Sequence, residues 1–395
     1  MSLKWPDRSS VKPHLKPRNL LLLVSTLLVV GLALVFMQPG EDPGIGTDRI
    51  SVESDHVPAS IPISEKPERP PTPSELVQRV QSLIETISSG DNSARHLALG
   101  DLSETLRAAS PEDATEHIQS FLATGVHIPT GQQFVVGGNG HLRSSPGLRS
   151  LLLDVLETVD PDAATTEARR ILEGPTRPDE WAVSLRIVCR RMQPDDAYLQ
   201  DRVMRLLTVE DWLDTPTVGY LQAFDASVHT AGSEIVDRLL EISDGPYPPA
   251  TRYAARLALE RTMEGAYAPA IRQLTQSDHL SSQPKFRASL IARGDVRIES
   301  DRSILEEYLR MPDPDPAEIE AFARYFPNYN QQVSDNLITT DHLTPIDDRI
   351  DQDRATQSWI HEIRDRPEFA PARTALKRVE KRLARYLVSA PVVSP

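Results

Sequence analysis

The stretch GQQFVVGGNGHL, residues 131 to 142, gathers the residue types that most often hold a ligand by its phosphates or oxygens. Gly137, Gly138 and Gly140 surround Asn139, Phe134 precedes them in a short apolar run, and His141 follows. A mononucleotide loop would need a lysine and a hydroxyl after its last glycine, to reach the phosphates and the magnesium. GGNGHL supplies neither. A dinucleotide site would need its glycines to open a helix directly behind a buried strand. Here the next helical start waits until Pro146. FVV-GGNG-HLR fits a β-hairpin better, with Asn139-Gly140 taking the positive φ of a tight turn. Phe134, Gly137, Gly138, Asn139, Gly140 and His141 therefore stand as a candidate interaction loop that projects from the body.

Other chemistry-bearing groups fall short of a site. HEIRD, His361 to Asp365, has the first half of a zinc-binding helix motif, but Asp365 stands where the second histidine belongs. DDRIDQD, Asp347 to Asp353, has the acids of a calcium loop without its turning glycine or closing glutamate. Cys189 lies on an apolar stripe with Leu185 and Met192, as a buried structural thiol does. The histidines are scattered, and no spacing supports a nucleophile with its base. No catalytic residue, cofactor site or metal ligand is assigned, and no small-molecule substrate is evident. The expectation is a protein that is not an enzyme.

The segment ARTALKRVEKRLARYLVSA carries a second candidate. Leu376, Val379, Leu383, Tyr386 and Leu387 form an apolar stripe, and Lys377, Arg378, Lys381, Arg382 and Arg385 crowd the rest. A basic amphipathic helix of this kind docks on its own acidic protein, on an acidic partner, or on anionic lipid. The net charge of −14 favours the first.

These groups need elements to hold them. Hydrophobic content of 39% supports a packed core, whereas 5% aromatics leave little for stacking platforms. The negative charge argues against nucleic acid as a partner. One cysteine excludes an internal disulfide.

Leu20 to Met37 is an unbroken apolar run, about 27 Å as a helix and about one hydrocarbon core thick. It lacks a small-residue cleavage site and reads as a signal anchor. Lys4, Arg8, Lys12, Lys16 and Arg18 precede it, and Glu41, Asp42, Asp48, Glu53 and Asp55 follow, with Arg49 the one opposing charge. That asymmetry orients the N-terminus to the cytoplasm and the bulk outside it, with membrane contact through residues 19–38. The lack of any N-x-S/T acceptor favours a periplasm. Prolines 39, 43, 58, 62, 67, 70, 71 and 73 then mark a linker of about 35 Å as coil or about 110 Å as polyproline.

Beyond it, cap residues before proline punctuate the chain: TPSE at Thr72, SPED at Ser110, SPGL at Ser145, DPDA at Asp160, TPTV at Thr215 and DPAE at Asp315. Apolar residues between them recur at three and four, as in Leu76, Val80, Leu83 and Ile87. The pattern predicts about fifteen short antiparallel helices and almost no strand. With starts about 35 to 40 residues apart, it resembles a degenerate HEAT-type helical repeat. The resemblance concerns architecture and implies an all-α, solenoid-like array without implying an activity.

The expected organisation is a basic cytoplasmic tail (1–18), a transmembrane anchor (19–38), a proline-rich linker (39–72), a helical repeat-like domain (73–345, with a hairpin at 131–143) and acidic then basic C-terminal helices (346–390). The function that fits is a single-pass, inner-membrane-tethered interaction or scaffold module facing the periplasm, with one or more protein partners. The alternative is an accessory subunit or enzyme with a site in the groove of the array.

Overall fold

Serine and aspartate ahead of proline start the helices much as the spacing predicts. The computed structural model describes residues 73–389 apart from 175, 176, 266, 277 and 342. Its helices begin with α1 (Pro73–Ser89), α2 (Asn92–Ala108) and α3 (Pro111–Ala123), followed by strands β1 (Val135–Val136) and β2 (Leu142–Ser144). Next come α4 (Leu148–Val159), α5 (Pro161–Glu173), α6 (Pro178–Cys189) and α7 (Ala197–Leu206). Four shorter or middle helices follow: α8 (Glu210–Asp214), α9 (Val218–Ala223), α10 (Asp225–Thr230) and α11 (Ser233–Asp244). The chain continues through α12 (Pro249–Gly265), α13 (Tyr267–Gln276), α14 (Pro284–Ile291), α15 (Glu299–Leu309) and α16 (Pro316–Tyr325). It closes with α17 (Ile346–Ile363) and α18 (Arg373–Ser389).

Ser110 shows why these starts hold. Its hydroxyl accepts the Asp113 amide at 3.1 Å and donates to the Asp113 carboxylate at 2.8 Å. Asp160 likewise takes the Ala163 amide at 3.0 Å, and Asp315 takes those of Ala317 and Glu318 at 2.7 and 2.9 Å. Each satisfies amides that the first helical turn leaves free.

Two expected starts move. Ser145 does not cap α4, because residues 146–148 pair with 128–130 instead: the Thr130 amide donates to the Pro146 carbonyl and the Leu148 amide to that of Ile128, both at 3.0 Å. The helix waits until that ladder ends. At TPTV, Thr215 ends α8, and Thr217 caps α9 through the Tyr220 amide at 3.1 Å.

The helices that pack substantially on one another lie at most four apart along the chain, an all-α arrangement of neighbours on neighbours. All the described residues belong to one compact unit, Glu68–Pro395. Within it α4 and α6 are covered nearly all round, from Leu148 to Leu156 and from Glu180 to Cys189. The few aromatics are concentrated in the core: Trp181, Trp212, Tyr220 and Phe224 run edge to face, with centroids 5.4 to 5.9 Å apart. That is the favoured ring geometry.

Residues 327–345, which the sequence places in the helical repeat-like domain, form no helix among those described. They run as an extended strap between α16 and α17 that turns back along the array. Asn328 donates to the carbonyls of Ala292 and Ser289 at 2.8 and 2.9 Å, and Tyr253 donates to Gln332 at 2.7 Å. Its arms meet where the Thr344 amide reaches Gln331 at 3.0 Å.

The basic helix docks on its own protein. Leu376, Val379 and Leu383 of α18 are buried against α16 and α17. Arg382 donates to the carbonyls of Ala323, at 2.8 Å, and of Arg324 and Phe326, which are the free ends of α16. A cation at a helix C-terminus satisfies both those carbonyls and the helix dipole. Arg378 and Lys377 make long, exposed pairs with Glu320 and Asp365 at 3.6 and 4.0 Å. No helix among the described residues is long and apolar enough to cross a membrane, and the expected anchor, residues 19–38, lies outside them.

Arg382→Met keeps the apolar stem and removes the donors, so it should lower unfolding free energy by about 1–3 kcal/mol in urea. Lys377→Gln and Lys381→Gln should each stay within about 0.5 kcal/mol of the parent. Equal effects at all three positions would show that Arg382 caps nothing.

Candidate functional site

The hairpin forms where the sequence places it, but its turn is longer by one residue. Val136 pairs with Leu142 and Val135 with Ser144, with an irregularity between the two. The Gly137 amide meets the His141 carbonyl at 2.7 Å, and the Gly140 amide closes on Gly137 at 2.9 Å. Gly140 alone of these glycines takes positive φ, at 77°. The loop is therefore Gly138-Asn139-Gly140, a turn with a glycine bulge, rather than a two-residue Asn-Gly turn. Asn139 accepts the His141 amide at 3.1 Å, which stiffens it further.

Most of the hairpin does not project. Phe134 is buried, its ring lying where a Cβ on Gly219 of α9 would come within 2.8 Å. Gly137 and Gly140 are also buried and His141 half-buried, leaving Gly138 and Asn139 exposed. Gly140 is hemmed in: a Cβ there would lie 2.6 Å from both Arg190 Nη2 and the Leu337 carbonyl oxygen. The strap has folded over the turn.

Beneath it lies a cluster the sequence reading passed over. Asp154 and Glu157 sit three apart on α4, and Arg186 on α6 is four before Arg190 at its C-cap, so each pair occupies one helix face. Arg186, with no exposed side-chain surface, meets Asp154 at 2.7 Å and Glu157 at 2.5 Å. Its Nη1 also donates to the Gly140 carbonyl at 2.8 Å. Arg190 holds Glu157 at 3.0 Å, His141 Nε2 at 3.2 Å and the Asn139 carbonyl at 2.6 Å. Asp154 takes the Leu142 amide at 3.0 Å and His141 Nδ1 at 3.2 Å. Burial pushes the Asp154 carboxyl up. The His141 hydrogen bond, the Arg186 charge and the Leu142 amide outweigh it and hold Asp154 below its usual value. Arginine and carboxylate thus clamp the two ends of the turn to two core helices.

What can this cluster do? His141, Asp154 and Glu157 bring donor atoms within 4.8 Å of one another, the set a divalent cation would choose. The Arg186 guanidinium already bonds both carboxylates and supplies the positive charge. A general base is also disfavoured by position. With its Nδ1–H donated to Asp154, His141 has one lone pair, on Nε2, and that nitrogen faces Arg190. The geometry is that of an ion-pair clamp.

The strap tip completes the site. Asp335 pairs with Arg143 of β2 at 3.3 Å, and Leu337 is fully buried beside Gly140. Asp225, at the start of α10, accepts the amides of Ile338 and Thr339 at 2.6 and 2.7 Å and the Thr339 hydroxyl at 2.5 Å.

The remaining sequence candidates separate. His361 is exposed, 3.5 Å from Glu380, and Glu362 pairs with Arg366 just past the end of α17. The acids of DDRIDQD diverge: Asp348 meets Arg297 at 2.8 Å, whereas Asp353 accepts Tyr329 at 2.8 Å. Cys189 is buried, and desolvation, reinforced by Asp225, pushes its thiol far up, away from reactivity. The signal for the missed cluster was present as charges set into otherwise apolar helices, LLLDVLETV and SLRIVCR. Comparison with protein-family models, curated proteins and solved structures finds no match to the chain.

Arg186→Met should destabilise by about 3–5 kcal/mol in denaturant unfolding, because it leaves the buried Asp154 without a cation and Glu157 with Arg190 alone. Adding Asp154→Asn should recover part of that loss, and a single variant within 1 kcal/mol of the parent would refute the clamp. Because the folded Asp154 binds protons less readily than the unfolded residue, its stabilisation is present above about pH 5 and lost as pH falls. The stability difference between parent and Asp154→Asn should therefore shrink from about pH 5 to about pH 3, and a flat difference would count against it.

Proposed function

We propose that this chain is a membrane-tethered, non-enzymatic interaction module of the cell envelope. In this reading the apolar run at 19–38 anchors it in the inner membrane, the N-terminus is cytoplasmic, and the proline-rich linker holds a degenerate HEAT-like body in the periplasm. The contact point for a protein partner is the surface where hairpin and strap meet.

One observation carries the choice of surface. Two non-helical loops, from residues 137–143 and 335–339, are brought together and fixed by the buried Arg186 and Asp225, with Arg190 and the Arg143–Asp335 pair at the rim. Their outer residues, Gly138, Asn139, Arg143 and Asp335, remain exposed. Loops held rigid on a helical scaffold are where recognition residues usually sit. The alternative, a catalytic or accessory role in a groove, would draw on His141, Asp154 and Glu157, whose donor atoms face arginines. It is the weaker reading.

A photo-crosslinking residue at Asn139, in cells making the full chain, should give a discrete adduct with another envelope protein. The same residue at exposed Glu112 on α3 should give none. Identical patterns at both positions, or none at either across growth conditions, would refute the assignment.

A further inference from the structure

Three places in the molecule hold unused chemistry: the His141 cluster, the exposed basic face of α18, and the strap. The first is closed by its own arginines, and α18 is already docked. The strap carries more.

Its contacts with the body run from Asn328 to Asp341, through Tyr253 and Arg261, and those most deeply buried are at the tip. Residues 332–335 and Thr340 are exposed, including Val333 at 52%, whereas Asn336 and Leu337 are buried. What holds the tip is the recognition pattern of an extended peptide. Leu337 is fully buried with its carbonyl against Gly140, and the next two backbone amides converge on one carboxylate oxygen of Asp225. The Thr339 hydroxyl takes the other oxygen. The receiving residues, Gly140 and Asp225, belong to the hairpin and to α10 rather than to the strap. Gly140 must lack a side chain for the strap to lie as close as it does.

We propose that the strap tip, Asn336 to Thr339, is an intramolecular ligand in a groove that binds an extended peptide from a protein partner. The partner segment has an aliphatic residue, then two positions that are not proline, the second a threonine or serine. This rests on the interaction-module reading and names the ligand class for that surface.

Exchange, rather than simple opening, follows from Asp225. Among the described residues, every hydrogen bond its carboxylate accepts comes from the strap, and the residue is 4% exposed. Leaving a buried carboxylate unbonded is costly, so the strap stays until another pair of amides replaces it. The arms of the strap meet at Gln331 and Thr344, so the segment between them can leave, once the Arg261 and Tyr253 bonds release, without moving α16 or α17.

The test replaces residues 332–343 of the full chain with a short Gly-Ser link and adds a fluorescent peptide of residues 331–344. Anisotropy should show saturable binding to the excised chain and at least about tenfold weaker binding to the intact chain, whose groove is filled. Peptides with Leu337→Ala, or with Ile338→Pro and Thr339→Pro, should bind at least about tenfold more weakly than the parent peptide. An excised chain that melts cooperatively but ignores the peptide, or binds the proline peptide equally well, overturns the proposal. If excision prevents folding, hydrogen exchange on the intact chain decides. Ile338 and Thr339 amides should exchange by local opening, faster than amides of α4 and α6, and exchange only at the global unfolding rate overturns it. A persistent Asn139 adduct alongside a failed peptide assay would leave the module reading standing and dispose of the strap ligand alone.

Discussion

Everything at the hairpin end of the molecule depends on Arg186, a guanidinium with no exposed surface. Taking such a charge out of water costs several kcal/mol before any partner is found. Asp154, Glu157 and the Gly140 carbonyl recover that cost only if α4, α6 and the turn keep one relative placement. An apolar core of similar volume would serve stability as well. It would not fix the turn, because apolar packing is tolerant of small slides and a guanidinium with three acceptors is not. The clamp therefore makes sense as a device for position. Arg190, one helical turn on, repeats it at the partly exposed rim with Glu157, His141 and Asn139.

Position matters here because the array itself transmits little. Helices that pack only on near neighbours behave as a quasi-one-dimensional stack, in which small rotations accumulate between distant members. The strap is the exception. It links residues 113 and 192 apart in sequence, through Asp225 to Ile338 and Arg143 to Asp335. On its way it passes Arg261, which reaches Ser334 and Asp341 at 2.9 and 3.0 Å. These ties couple the middle of the array to the connection ahead of its last two helices. Their strength is polar and local, which suits a joint that holds register without adding to the core.

Much of this was legible in the chain, and the rest was hidden for identifiable reasons. Ser110, Asp160 and Asp315 ahead of proline mark helix starts because capping is a local interaction, complete within four residues. The glycine turn at 137–140 is legible for the same reason. Ser145 misleads because a ladder with residues 128–130, formed across the hairpin, outcompetes the cap. The strap is invisible to periodicity, since its partners lie on α10, α12 and β2 and its own residues follow no period. Asp154 and Arg186 look like interruptions of apolar stripes when each helix is taken alone. Only their spacing, three apart facing four apart, hints that they neutralise each other, and nothing local says which helices face.

The C-terminal helix shows how such a hidden constraint narrows function. As a sequence it is a basic amphipathic segment, equally suited to its own body, a partner or a lipid surface. Leu376, Val379 and Leu383 of its apolar stripe are covered by α16 and α17 while Tyr386 stays exposed, and Arg382 is committed to the carbonyls that end α16. Stacked helices need such an end, because the last one would otherwise leave an apolar face and unpaired carbonyls in water. The charge that suggested recruitment thus has an internal use, and two of the outward charges beside it, Arg378 and Lys377, are already near Glu320 and Asp365. Closure at that end leaves the hairpin and strap as the place where buried polar bonds hold exposed, non-helical residues in fixed positions. The desolvation that this costs goes into holding position, because a loop that only had to connect two helices would need no carboxylate beneath it.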